Sequence, residues 1–156
     1  MPSQRGFTLL EVLVVITIIG VLAAFGFPAM TRFLTTQAVR SASYDLFADL
    51  IYARSEAIAR GTNVKMIGLS STDFKQGWRI EAEGAAANPI RQQGPRSSAI
   101  VFTASQNNFS FDRNGRSDAT MTFNIVPVEP TTQDYMKRCI RLDPSGRPKS
   151  AEGACP

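Results

Sequence analysis

The chain of 156 residues contains no histidine. The commonest general base and the commonest metal ligand of proteins are therefore missing. A Ser-His-Asp or Cys-His catalytic arrangement is excluded for the same reason. No other group of residues has the spacing of a catalytic or metal-binding motif. The sequence therefore predicts a protein that is not an enzyme and that holds no metal and no cofactor.

Charge is nearly absent from the N-terminal region. Between Arg5 and Arg32 the only charged side chain is Glu11, and the surrounding run of apolar residues extends to Pro28. A stretch of about 20 apolar residues is long enough to cross a bilayer as a helix. A carboxylate within such a stretch is costly, so it indicates a functional role.

A secretory signal peptide and a plain anchor helix are the two simpler interpretations of this region. The apolar run is longer than a signal-peptide core of roughly 7–15 residues, and no small-x-small cleavage site follows it. A plain anchor leaves Glu11 without an explanation. Both interpretations are therefore disfavoured.

Residues 6–11, with the sequence GFTLLE, resemble the class III leader junction of type IV pilins and type II secretion pseudopilins. The resemblance implies that a prepilin peptidase cuts after Gly6 and methylates the new N-terminal amine of Phe7. It also implies that Glu11 pairs with the free amine of a neighbouring subunit during assembly. A carboxylate in lipid gains most from a cation that is itself poorly solvated, which agrees with that role.

This resemblance divides the chain into three parts. Residues 1–6 are expected to be the leader peptide, residues 7–31 the transmembrane and assembly helix, and residues 32–156 an exported globular pilin domain. The expected location is the inner membrane, with a single pass and the domain in the periplasm, before assembly into a pilus or pseudopilus. The expected partners are other pilin subunits through the N-terminal helix, the membrane and the prepilin peptidase.

The helix is predicted to continue beyond the membrane. Apolar residues recur at three- and four-residue spacing up to Arg60, which is the pattern of an amphipathic helix. Gly61 is a suitable residue for the end of that helix. We expect one helical segment from about Phe7 to about Arg60.

After Gly61 the apolar period changes to two, which predicts β-strands. Asn114-Gly115 is a strong turn signal within this region. The arrangement predicts an α+β fold in which a long N-terminal helix packs on an antiparallel β-sheet domain. The expected strands are residues 63–69, 77–82, 100–104, 109–112, 120–126 and 136–142.

Three short motifs narrow the resemblance. Residues 52–57 (YARSEA), 77–79 (GWR) and 109–111 (FSF, followed by Gly115) occur in the order found in the GspH/FimT family of minor pilins and pseudopilins. The chain is most similar to a FimT-type minor pilin. This resemblance implies the type IV pilin fold.

Four polar or aromatic residues outside the termini are given structural interpretations. Asp45 and Asp49 lie one helical turn apart and are expected to be solvated. Trp78, at the start of a strand, is expected in the core. Arg54 is expected to be a surface or packing residue.

The only two cysteines are Cys139 and Cys155. An even count in an exported domain is typical of one disulfide, which would contribute roughly 3 kcal/mol by closing a loop of about 15 residues. Two free thiols or half of a metal site are the alternatives. The lack of histidine and of further cysteines disfavours a metal site.

The C-terminal region concentrates positive charge, although the whole chain is only mildly basic, with a formal net charge of +4. An extended basic segment can contact phosphates. The acids in this region are Asp143 and Glu152. The candidate DNA-binding residues are Lys137, Arg138, Arg141, Arg147 and Lys149.

Part of this region, residues 146–149 (GRPK), is similar to a Gly-Arg-x-Arg tail motif that binds DNA in family members linked to DNA uptake. Lys149 replaces the second arginine, so the charge is kept and the planar fork is lost. The alternative is a basic strand end and a turn at a subunit contact. The expected function is a minor type IV pilin incorporated in a pilus filament, and DNA binding through the basic C-terminal tail for natural transformation is an additional hypothesis. Alternatives are a structural or priming minor pilin without DNA binding, and a GspH-type pseudopilin of type II secretion.

Overall fold

The computed structural model describes residues 8–71, 73–85, 87–130 and 133–156. The expected leader junction, Gly6 and Phe7, lies outside these residues. The chain divides into two compact units, of which the first ends at Leu34 and the second runs from Thr35 to Pro156.

One long helix, α1, spans Leu9–Arg60. Thr8 precedes it, and the Thr8 Oγ1 accepts a hydrogen bond of 3.2 Å from the Glu11 backbone N–H. Threonine followed three residues later by glutamate is the sequence pattern of a capping box. The helix ends at Arg60, and the next residue, Gly61, has a φ of 66° that favours glycine. The predicted helix is confirmed.

The part of α1 that belongs to the first unit has exposed apolar side chains, among them Leu10, Ile16 and Leu22. By its length and composition this helix qualifies as a membrane span. Within the described part of the first unit, no large apolar side chain is buried.

The second unit contains eight described strands in two antiparallel sheets with the orders β3-β2-β1-β5 and β4-β6-β7-β8. The six predicted strands are present, each within two residues of its expected bounds. The strands are β1 Val64–Gly68, β2 Trp78–Ala82, β3 Arg91–Gln93, β4 Ile100–Ala104, β5 Asn108–Phe111, β6 Met121–Pro127, β7 Arg138–Leu142 and β8 Pro148–Glu152; short 3-10 turns span Phe74–Gln76 and Asp134–Met136.

The two strands that the sequence did not predict are β3 and β8. Both lie at a sheet edge, and both consist mainly of polar, exposed residues. Edge strands bury little side-chain surface, so they lack the apolar alternation by which a strand is predicted.

The core of the second unit lies between the helix and the two sheets. The predicted apolar stripe of α1 is buried, and the same core contains aromatic rings from the strands and from the first 3-10 turn. Phe74 of that turn and Phe123 of β6, for example, meet edge to face at 5.2 Å. On β6, every second residue faces the core. The buried stripe of the helix is Val39, Ala42, Leu46, Leu50, Ala53 and Ala57.

The expectation that Asp49 is solvated was wrong. Its side chain is only 1% exposed, and its two carboxylate oxygens accept hydrogen bonds of 2.8 Å from Trp78 Nε1 and from Arg91 Nη1. Asp45 accepts a hydrogen bond of 2.7 Å from Arg96 Nη1. A buried carboxylate needs such a cation. Arg91 comes from a polar segment 42 residues later, so helix spacing alone could not indicate the pair.

Candidate nucleic-acid interface

The β7–β8 hairpin separates the five candidate basic residues into two groups. In the antiparallel register Arg138 lies opposite Glu152, and Arg141 lies opposite Lys149. Lys137 and Arg138 are therefore at the open end of the hairpin. Arg141, Arg147 and Lys149 are at the end that carries the turn.

Acidic neighbours and backbone carbonyls occupy the cations at the open end. Lys137 Nζ lies 3.5 Å from Asp134 Oδ1, and Arg138 Nη2 lies 3.0 Å from Glu152 Oε1. Arg138 Nη1 also donates to the carbonyls of Tyr135 and Lys137. The two basic side chains are 18% and 14% exposed. They have little surface to offer a phosphate.

The turn end is different, because two positive side chains face each other there. Arg141 and Lys149 are cross-strand partners and both are exposed. Partners in an antiparallel pair point to the same face, and like charges in this position repel each other. Lys149, at 76% exposure, has a distant ion pair of 3.6 Å with Asp143. Arg147 is also exposed and precedes Lys149 by two residues.

The turn that joins these strands is held by Asp143. The Gly146 N–H donates to the Asp143 carbonyl at 2.9 Å, and the Asp143 Oδ1 accepts hydrogen bonds from the backbone N–H and the hydroxyl of Ser145. The Ser145 hydroxyl, opposed by partial desolvation and helped by backbone N–H groups and Lys149, keeps the pKa of the Asp143 carboxyl below its usual value of 3.8. The Asp143 carboxylate therefore stabilises the turn in which it lies.

Gly146 cannot be replaced without strain. Its φ is 74°, and a Cβ atom at this position would lie 2.0 Å from the carbonyl oxygen of Gly115. Only glycine avoids both the left-handed backbone penalty and this collision. The backbone conformation and the close contact with Gly115 thus explain why the first residue of the GRPK segment is glycine.

Gly115 lies in another turn, at residues 112–116, which contacts the turn at residues 143–147. The Ser117 N–H donates to the Pro144 carbonyl at 3.2 Å, and the Gly115 carbonyl accepts a hydrogen bond of 3.0 Å from Arg54 Nε. Arg54 therefore connects helix α1 to the turn at residues 112–116, which in turn contacts Gly146. The sequence predicted a surface or packing role for Arg54 but could not indicate this partner, because no local pattern marks a contact between a helix residue and a turn 61 residues later.

The predicted disulfide between Cys139 and Cys155 is present, with a Cα–Cα distance of 5.0 Å. The Cys155 N–H donates to Asn124 Oδ1 at 3.3 Å. The bond thus holds the C-terminal residues across β7 and against β6. Cys139 and Arg141 are two residues apart on β7, so they lie on the same face of the sheet.

Two families match this sequence. The family described as type II transport protein GspH matches residues 42–146, and the prokaryotic N-terminal methylation motif matches residues 1–27. The chain belongs to the GspH family. The methylation motif includes Gly6, Phe7 and Glu11. The GspH match ends at Gly146, so this pilin's Arg147 and Lys149 lie beyond it.

Two crystal structures of the type IV minor pilin FimU from Pseudomonas aeruginosa strain PAO1 are similar to this GspH-family pilin. One has a TM-score of 0.63 and 27% identity, and the match covers 72% of this chain and 87% of FimU. The other has a TM-score of 0.61 and 25% identity, over 72% and 91% of the two chains. No curated protein matches the chain. The predicted type IV pilin fold, a long N-terminal helix followed by antiparallel sheets, is confirmed.

Proposed function

We propose that this GspH/FimT-type pilin is a minor subunit of a type IV pilus and that it binds the phosphate backbone of DNA. The DNA-binding surface is the turn end of the β7–β8 hairpin, with Arg141, Arg147 and Lys149. The observation that carries this proposal is the exposed cross-strand pair of Arg141 and Lys149. Two like charges in this register cost stability, and an anion between them would remove the repulsion.

The assembly part of the proposal rests on the N-terminal region. The methylation motif covers the junction, and the apolar side chains of the first unit are exposed. We propose cleavage after Gly6, methylation of Phe7 by the prepilin peptidase, and pairing of Glu11 with the N-terminal amine of a neighbouring subunit. Before assembly the subunit would lie in the inner membrane with its domain in the periplasm. Intact-mass analysis of protein from native membranes tests the cleavage, and a mature N-terminus other than Phe7 contradicts it.

The DNA-binding part predicts weak, sequence-independent association with a strong salt dependence. Each phosphate that a cation neutralises contributes about −0.9 to the slope of log affinity against log salt concentration on duplex DNA. Contacts to phosphate carry no base readout, so DNA of different sequence should bind equally. The three exposed cations therefore set an expected slope near −3.

Binding of a fluorescent DNA duplex to the full chain in detergent, measured over a salt series, tests this proposal. We expect Arg147→Gln with Lys149→Gln to weaken binding and to reduce the slope by about two units. The matched control is Arg40→Gln with Lys65→Gln, which removes two exposed positive charges from the helix and from β1. Equal effects of the two double variants would mean a bulk-charge effect and contradict a local site.

A structural minor pilin without DNA binding is the second candidate. The similarity to a type IV minor pilin and the end of the GspH match at Gly146 favour it. A GspH-type pseudopilin of type II secretion is the third, favoured by the description of the matched family. No measurable DNA binding at low salt would leave these two, and loss of pili or loss of secretion in a deletion strain would separate them.

A further inference from the structure

The chain contains the pattern Asp-x-x-Gly-Arg twice, at residues 112–116 and at residues 143–147. We propose that these paired Gly-Arg turns form one phosphate-binding surface, in which Arg116 is the counterpart of Arg147. This inference rests on the proposed DNA-binding function and adds a residue that is remote from the tail. The proposed surface is formed by two turns that are in contact.

The two turns have the same construction. In each, the glycine N–H donates to the aspartate carbonyl, at 2.8 Å in the first turn and 2.9 Å in the second. In each, the aspartate Oδ1 accepts from the N–H two residues later, from Asn114 at 2.8 Å and from Ser145 at 3.0 Å. Both glycines have a φ of 74°. The arginine that follows each glycine therefore leaves its turn at an equivalent point.

The turns are also in direct contact. An ideal Cβ at Gly146 would lie 2.0 Å from the Gly115 carbonyl oxygen and 3.5 Å from the Arg116 Cα. Arg147 directly follows Gly146, so the backbones of Arg116 and Arg147 are close neighbours. Two long basic side chains that begin at neighbouring points can reach phosphates of one short stretch of a nucleic-acid strand.

The acids of this region leave both guanidinium groups unpaired. Asp112 binds the backbone N–H groups of Asn114 and Arg116, and Asp118 binds the backbone N–H and hydroxyl of Ser110. Asp143 binds Ser145 and lies 3.6 Å from Lys149. Among the residues that the structure describes, no carboxylate forms an ion pair with Arg116 or Arg147.

The exposed positive charges at this end of the unit favour one occupant. Arg113 and Arg116 from the first turn and Arg141, Arg147 and Lys149 from the hairpin are all exposed. DNA presents closely spaced phosphates along each strand, so charge complementarity favours a DNA backbone. A compact anion such as free phosphate would engage only part of this set.

Salt-dependent binding of a labelled duplex to the full chain in detergent tests the inference through single variants. We expect Arg116→Gln to reduce the slope of log affinity against log salt by about one unit, as Arg147→Gln does. Arg40→Gln, which removes one exposed charge from the helix, should leave the slope unchanged. Arg116→Lys should restore the slope, since it restores the charge, and thermal unfolding of each variant shows whether the fold is kept.

The outcomes separate this inference from the proposed function. If the unaltered chain binds and Arg147→Gln reduces the slope while Arg116→Gln behaves like Arg40→Gln, the paired surface is refuted and the tail site stands. If the unaltered chain does not bind DNA at low salt, both ideas fail. Inorganic phosphate is the probe for a compact anion: if it competes with DNA at concentrations too low for a general salt effect, the surface is a phosphate site and not a DNA-backbone site.

Discussion

Arg54 on helix α1 donates a hydrogen bond of 3.0 Å from its Nε to the carbonyl oxygen of Gly115, which lies 61 residues later in the chain. Gly115 in turn contacts Gly146. The position of the basic turn end is thus determined by a helix residue as well as by the hairpin itself.

We therefore expect Arg54→Ala to lower the free energy of unfolding by about 1–2 kcal/mol, since a part-buried hydrogen bond from a charged group is lost. Amide hydrogen exchange should increase at Ser117 and Gly146. Chemical denaturation and exchange measurements check both effects. The control is Arg60→Ala, which removes an exposed i,i+4 pair with Glu56 and should cost about 0.5 kcal/mol. Exchange at Gly146 that does not respond to Arg54→Ala would show that Arg54 does not hold the turn.

Gly146→Ala should be more harmful than Gly84→Ala. Both glycines have positive φ, 74° and 78°, but a Cβ at Gly84 meets no atom within 4 Å, whereas a Cβ at Gly146 collides with the Gly115 carbonyl. The backbone penalty of roughly 1–2 kcal/mol is common to both, so the difference in unfolding free energy measures the contact between the turns. Equal losses would mean that the turns can separate without cost.

The helix, the disulfide and most strands were predictable, because the helix and the strands follow from local apolar patterns and the disulfide follows from the count of cysteines. The periodicity of Leu46 and Leu50 indicates a buried stripe whatever packs on it. The pairing of Asp49 with Arg91 and of Gly146 with Gly115 was not predictable, because these contacts join residues that only the complete fold brings together. The repeated Asp-x-x-Gly-Arg pattern was visible in the sequence. Its meaning depends on the contact between the two turns.

Asp49→Ala should be among the most destabilising polar substitutions in the second unit. It removes the partner of Arg91 and of the Trp78 indole N–H, and the indole is left in the core without an acceptor. We expect a loss of roughly 2–3 kcal/mol by chemical denaturation. Asp45→Ala is the matched control. It breaks one pair with Arg96 at a side chain that is 41% exposed and should cost less than about 1 kcal/mol. A similar small loss for both variants would refute a structural role of the buried pair.

We propose two roles for Glu11, one at the start of the helix and one in assembly, which a single substitution can separate. Its position three residues after Thr8 suits a capping box, in which glutamine serves as well as glutamate. Glu11→Gln should therefore leave the start of the helix and membrane insertion intact, because an uncharged residue enters lipid more easily. Incorporation into pili should fall, because the neighbouring amine loses its anion. Normal incorporation of Glu11→Gln, measured in sheared pili against membrane levels, would exclude a role for the charge in assembly.

Reduction of the Cys139–Cys155 disulfide should affect stability more than the proposed DNA binding. The bond joins Cys155 to Cys139 on β7, and the Cys155 N–H also donates to Asn124 on β6. Loss of the disulfide should lower the free energy of unfolding by roughly 3 kcal/mol. Arg141 and Lys149 are held differently, by the five-residue β7–β8 pairing and by the turn at Gly146. We therefore expect hydrogen exchange to increase mainly at residues 153–156, while the slope of DNA affinity against salt stays within experimental error. The measurement compares oxidised protein with a Cys139→Ser, Cys155→Ser variant at a temperature where both are folded. A large fall in the slope would mean that the disulfide, and not the hairpin, positions the basic surface.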